Sequence, residues 1–284
     1  MFKTVLLTGA ATALLAGAAS AADLPRREPP PPVFTPVPVF TWTGFYAGLH
    51  TDYVFTDRTR ITTVGNTAVN AAAVAGLVRA PRIFTEVDGF ANIGGGFGYN
   101  YQFTPGSGVV VGVQADWAWT DLEKNRGYLS PTVPVFGSAY RQGLGWLGTL
   151  VGRAGYAFDR FFVYGLGGLA YGDVTTGATF FNPGGVVAYT GQITDFRTGF
   201  AYGGGIEYAI PDDSFLARLN VLSLIGVQSA AVTIKAEYLH YDLGSRNVLI
   251  NNTGLAGSPG SFTSRFRTEG NLVRAGFNYK FSGL

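Results

Sequence analysis

The chain has no cysteine and only two histidines among its 284 residues. Without thiols there is no disulfide framework, no thiolate metal site, no nucleophilic Cys and no lipid-modified Cys behind a leader. Charge is scarce as well, at 13%, about half the usual ~25%. The formal net charge of +2 implies no polyanion partner, so no nucleic acid is expected. Past the N-terminus no uncharged apolar run reaches the ~20 residues a spanning helix requires.

What the chain does have is aromatic rings, 14% of its residues, and 41 glycines. Both are out of proportion for a soluble globule and suit many amphipathic strands with tight curvature. Residues 1–21 read as a secretory signal peptide, with Lys3 in the basic n-region, an apolar core from Val5 to Ala18, and Ala19, Ser20 and Ala21 at the cleavage site. The apolar run is short for an anchor helix. Residues 22–41 follow as a Pro-rich periplasmic linker holding half of the 14 prolines, extended and poor in hydrogen-bond donors.

From residue 42 onward the dominant period is two. Along the last strand Val273, Ala275, Phe277, Tyr279 and Phe281 alternate with Leu272, Arg274, Gly276, Asn278 and Lys280, one greasy face and one polar. The same alternation marks seven earlier segments: 42–55, 86–103, 108–121, 143–158, 161–173, 194–210 and 232–242. In 161–173 both faces are apolar, which leaves the register open. Long and short connections alternate through the first strands, with long ones expected at 56–85, 122–142, 174–193 and 244–264. Tight turns fall at 105–108 and at Asp159-Arg160. The pattern predicts an all-β fold: an eight-stranded antiparallel transmembrane β-barrel over 42–284, with short periplasmic turns and four long extracellular loops. A soluble ligand-binding barrel would hide its aromatics inside. One stretch breaks the rhythm: 211–231 is long where a short turn belongs, and its apolar residues fit strand or helix equally.

Tyr99, Tyr101, Tyr156, Phe158, Tyr208, Phe277, Tyr279 and Phe281 would form a lower aromatic girdle, and Trp117 and Trp119, with Tyr53, Phe196 and Phe200, an upper one. The inward charges are Asp52, Asp88, Asp116, Glu207 and Glu237 against Arg153, Arg197, Lys235, Arg274 and Lys280. A barrel of eight strands is barely wide enough for its own side chains, so these ten are expected to pair into a polar plug. Glu207 with Lys235 and Glu237 with Arg274 are the adjacent-strand candidates. The competing reading is a path for charged solutes.

Several motifs taken together carry a family resemblance: Trp42-Thr-Gly-Phe-Tyr-Ala-Gly48, Tyr164-Gly-Leu-Gly-Gly-Leu-Ala-Tyr-Gly172, Tyr202-Gly-Gly-Gly-Ile-Glu-Tyr208, Lys235-Ala-Glu-Tyr-Leu-His-Tyr-Asp-Leu-Gly244 and Val273-Arg-Ala-Gly-Phe-Asn-Tyr-Lys-Phe281. In these the chain resembles the small OmpA-type outer-membrane β-barrel family of alphaproteobacteria, often termed porin-like. It departs from that pattern in 211–231 and in the tail after Phe281. The resemblance implies the cell outer membrane as location, with its lipid and lipopolysaccharide as surroundings. It also implies handling by the barrel-assembly machinery through the C-terminal strand.

No catalytic residue, cofactor or metal ligand is expected. Gly165-Leu-Gly-Gly-Leu-Ala170 follows an apolar run like a dinucleotide fingerprint, yet the residues after it cannot supply the helix that would hold a pyrophosphate. His50 should face inward and His240 outward, so they form neither a metal pair nor an acid–base dyad. The function expected is a non-enzymatic outer-membrane protein that contributes to envelope structure and displays surface loops. A narrow channel for ions or small solutes, or loop-mediated binding of a ligand or host molecule, are the alternatives.

Overall fold

The computed structural model describes residues 39–211 except 57, 87, 91 and 92, together with 214 and 229–281, the side chains of 229 and 230 apart. The expected signal peptide, most of the Pro-rich linker, nearly all of 211–231 and the tail 282–284 lie outside the described residues.

In chain order the elements are β1 (Gly44–Phe55), β2 (Thr59–Gly65), α1 (Ala68–Ala75), β3 (Arg82–Thr85), β4 (Asp88–Phe90), β5 (Gly94–Gln102), β6 (Ser107–Leu129), β7 (Gly137–Phe158), β8 (Phe161–Asn182), β9 (Val186–Ala209), β10 (Ser229–Asn252) and β11 (Ser261–Phe281). Neighbours from β5 to β11 pair antiparallel in sequence order, β1 pairs with β5, and β11 returns to pair with β1. Eight strands thus close a ring and leave no free edge, the condition for a sheet to stand in lipid. The expected architecture is met.

Alternation decides which side of each strand faces lipid. On β6, Val109, Val111, Val113 and Trp119 are exposed, while Val110, Gln114, Asp116 and Ala118 are buried. On β8, where the sequence left the faces undecided, Phe161, Val163 and Leu169 are outward and Phe162, Tyr164, Leu166 and Ala170 are inward.

The long connections turn out to be mostly strand. β6 to β11 run 21 to 24 residues each, whereas about 10 tilted residues cross a bilayer. The remainder stands outside, where water replaces lipid and the apolar set must turn inward. A bulge between Asp242 and Ser245 on β10 performs that exchange. Below it Ile234 and Tyr238 face lipid; above it Val248 and Ile250, at positions of the same parity, are buried inside. Their cluster includes Phe180, Tyr189, Phe262 and Phe266.

The long connection expected at 56–85 carries β2, α1 and β3, and β4 follows within the segment 86–103 expected as the second strand. β2 extends the wall by pairing with β11, and β4 pairs with the end of β1. Thr67 caps α1 by accepting from Asn70 N. Val74 joins the inward apolar cluster, and Asn70 donates to the carbonyls of Pro259 and Ser261. The helix is thereby fixed over the extracellular end of the barrel.

Candidate functional site: the barrel interior

Two glycines make room for the polar centre of the lumen. A Cβ on Gly96 would lie 2.2 Å from Asp116 Oδ1, and one on Gly98 would lie 2.4 Å from the Tyr46 hydroxyl. Both gaps are filled instead by those polar groups, in a barrel too narrow for anything larger.

Around them the strands bring four carboxylates and three cations together. Arg274 on β11 donates to both oxygens of Asp52, at 2.9 and 3.0 Å, and pairs with Asp116 at 2.8 Å and Glu237 at 3.5 Å. Lys235 reaches Asp116 at 3.3 Å and Glu237 at 3.5 Å. Arg153 pairs with Glu207 at 2.6 Å, donates to Tyr46 Oη and Gln114 Oε1, and lies 4.1 Å from the ring centre of Tyr164. Gln114 donates in turn to Asp116 and Glu237, Tyr164 donates to Glu237, and Asn278 and Thr233 donate to Glu207. His50 sits between Asp52 at 2.9 Å and Asp116 at 3.6 Å. Charges stripped of water need such partners on every side.

Apolar layers seal this network from both ends. On the periplasmic side Trp42 packs on Phe162, which packs on Tyr164, and Trp42 Nε1 donates to the carbonyl of Asp159 in the β7–β8 turn. Above it Leu144, Leu147, Val174, Leu239, Tyr241 and Leu272 are buried. Beyond them lies the extracellular cluster under α1.

Seven of the ten charges expected in the lumen therefore share one network: Asp52, Asp116, Arg153, Glu207, Lys235, Glu237 and Arg274. Three do not. Asp88 is a correction: it stands exposed on the short strand β4, paired with Lys124 at 3.1 Å, because the second barrel strand begins only at Gly94 and its alternation does not extend back to 86. Arg197 donates to the carbonyls of Leu243 and Ser245, which the β10 bulge frees from the ladder. Lys280 is buried near the Phe40 ring, with no carboxylate within salt-bridge distance among the described residues. The expected pairs also fare differently. Glu237 and Arg274 face each other in register and are paired, although Arg274 lies closer to Asp52 and Asp116. Glu207 and Lys235 are register partners too, yet no ion pair forms between them: Glu207 turns to Arg153 and Lys235 to Asp116.

The girdle aromatics Tyr101, Tyr156, Phe158, Tyr208, Phe277 and Trp119 are exposed on the outer face, with Tyr99, Trp117 and Phe281 half-buried. Tyr53, Phe196 and Phe200 are likewise exposed. Tyr279 differs: it is buried against Ile210 and Val232.

One residue had no signal in the sequence. Arg79, buried between α1 and β3, donates to the carbonyls of Gly137 and Phe181 and to Asn182 Oδ1. It also lies over the rings of Phe136 and Phe180. Burial pushes its guanidinium below the ordinary arginine range, and carbonyls rather than a carboxylate compensate. It ties the first connection to the tips of two hairpins. Among the described residues no group of three His, Asp or Glu side chains is placed to hold a metal ion.

The outer membrane protein beta-barrel domain family model matches residues 9–281 of the chain. Two curated relatives, from Brucella melitensis biotype 1 and Brucella suis biovar 1, each carry the description 31 kDa outer-membrane immunogenic protein. Each is 30% identical over 291 aligned residues, covering 98% of this chain and 100% of the relative. Of the solved structures, the outer-membrane protein OprG of Pseudomonas aeruginosa aligns with a TM-score of 0.48 at 14% identity, over 85% of this chain and 97% of that one. Ail of Yersinia pestis aligns with a TM-score of 0.31 at 13% identity, over 84% and 99%.

Proposed function

Because the chain belongs to the outer membrane protein β-barrel family, we propose that it serves that membrane as a closed, non-enzymatic barrel, strengthening the envelope and holding a rigid structure above the lipid. The observation that carries this reading is the filled lumen. Trp42 and Phe162 below, the Arg274 and Arg153 network at mid-height, Leu144 and Leu239 above it and Phe262 in the extracellular cluster are all buried side chains. A conducting path would need continuous water, which wider barrels provide. Acid–base chemistry would need an accessible group, whereas each carboxylate here is buried and already paired.

The display half of the proposal rests on the strand extensions. Three hairpins stand outside the bilayer on a core of their own, with tips at 130–136, 183–185 and 253–260. The Brucella relatives are described as immunogenic, and surfaces held rigidly above the lipid are what an antibody would meet. The same reading takes residues 1–21 as a cleaved signal, the Pro-rich segment as a periplasmic spacer, and β11 as the strand offered to the barrel-assembly machinery.

Vesicles carrying the refolded chain and loaded with a small sugar test the closed-barrel half. Release no faster than from empty vesicles is expected, and release at the pace of a general porin would overturn the reading. Antibodies raised against the three hairpin tips should label intact cells. Labelling only after the outer membrane is opened would remove the display half.

A further inference from the structure

A groove of about 720 Å³ runs along the outer side of the wall above the bilayer, across β2, β10 and β11. Arg58, Arg60, Arg265 and Arg267 line it with Glu269 as the one acid, and Phe84 forms part of its side. The chain's net charge of +2 conceals this concentration. Two of the arginines are engaged: Arg58 with Glu86 at 3.3 Å, and Arg267 with Asp242 and Glu269 at 2.8 and 2.7 Å. Arg60 and Arg265 have no ion pair or hydrogen-bonding partner among the described residues. They come from different strands and line one concavity. Thr62 and Thr263 add hydroxyls and Asn247 an amide between them.

Height and direction narrow the ligand. Val273 pairs with the girdle residue Tyr53. With ~3.3 Å of rise per residue and a tilt of ~40°, β11 climbs about 2.5 Å per residue, which places Arg267 and Arg265 roughly 15 to 20 Å beyond Val273. The groove opens sideways, over the lipid, not upward from the hairpin tips. The groups standing at that height beside an outer-membrane protein are the phosphates and carboxylates of lipopolysaccharide inner-core sugars. Guanidinium forks match both anions in two-pronged geometry.

We propose that this groove binds the phosphorylated, carboxylated inner core of an outer-leaflet lipopolysaccharide molecule, with Arg60 and Arg265 as its free cationic contacts. The proposal rests on the outer-membrane placement and leaves the closed lumen untouched. It assigns a defined lateral site rather than general immersion in the leaflet.

The full chain, refolded in lipid nanodiscs, is titrated with a lipid A carrying phosphate and acidic core sugars, and in parallel with its dephosphorylated form and with phosphatidylglycerol. Wild type should prefer the phosphorylated ligand. Arg60→Ser/Arg265→Ser should bind it about tenfold more weakly or worse. Both side chains are exposed and unpaired, so the variant should fold as wild type does. Arg141→Ser, which removes an exposed arginine from the opposite wall, should bind as wild type. Equal binding by the double variant, or equal loss in Arg141→Ser, would overturn the site. Wild-type binding to heparin in solution as tight as to the lipid, and through the same two arginines, would make the partner a soluble polyanion and overturn the lipopolysaccharide assignment. Sugar release from vesicles reports on the barrel separately, so failure here is distinct from failure of the closed-lumen reading.

Discussion

Replacing Arg274 with Met should be the most damaging single change in the lumen. The side chain is 1% exposed and holds Asp52 through two bonds, Asp116 through a third and Glu237 through a longer contact. Met fills similar volume but leaves Asp52, Asp116 and Glu237 with Lys235 as the one cation among the described residues in salt-bridge distance of any of them, beside the hydrogen bonds of His50, Gln114 and Tyr164. Breaking one buried pair costs about 3 to 5 kcal/mol, and the loss of contacts to three carboxylates, with Asp52 left without a cation among the described residues, places Arg274→Met at the upper end, ~4 to 5 kcal/mol. Arg153→Met strands only Glu207 and should cost ~3 kcal/mol. If the cost is unpaired charge and not lost packing, adding Asp52→Asn to Arg274→Met should recover at least about 1.5 kcal/mol. Urea unfolding from lipid vesicles measures each value. The emission of Trp117, Trp119 and Trp146, which leave the outer face for water, reports the transition. A loss below ~1 kcal/mol for Arg274→Met, or no recovery in the double variant, would refute the plug as an electrostatic unit.

Other expectations follow from the extracellular half. Arg79→Ala removes three hydrogen bonds to the hairpin tips and should expose 66–81 to protease on intact cells while the barrel stays folded, since charged hydrogen bonds of this kind contribute ~1.5 to 3 kcal/mol each; unchanged protection would show that the clasp is dispensable. Phe262→Ala opens a cavity beside Phe180 and Tyr189, whose ring centres lie 5.1 and 4.9 Å away, and should destabilise by about 3 to 5 kcal/mol. A change under ~1 kcal/mol in urea unfolding would mean the upper core does not pack as a unit.

The parts of this molecule that could be read from sequence are those where one rule governs a whole strand. On β6 and β11 the greasy set faces lipid through the bilayer, so Val109 to Trp119 and Val273 to Phe277 announce themselves. The rule fails where the surroundings change along one strand. On β8 the periplasmic mouth of the lumen is itself aromatic, so Phe161 and Phe162 look alike while facing opposite ways. On β10 the apolar residues keep their parity past Gly244 but the bulge swaps their faces, and a segment that buries Val248 and Ile250 reads as a loop. Asp88 belongs to β4 and not to the barrel strand β5, which begins only at Gly94, so the alternation of that strand does not fix its side. Ion-pair partners were only half legible: register fixes which backbones are neighbours, yet Arg153 and Lys235 are long enough to pass their neighbours and cross the lumen. Arg79 gave no sign, because a lone arginine after an Ala-rich stretch looks like any solvated charge.

Single-channel recording in a planar bilayer tests the closed lumen most directly, with Arg153→Ala beside wild type. Wild type should give no steady conductance across repeated insertions whose orientation and folding are verified. Reproducible small steps from wild type, growing when Arg153 is removed, would show that water threads the charged layer and that the barrel is a channel.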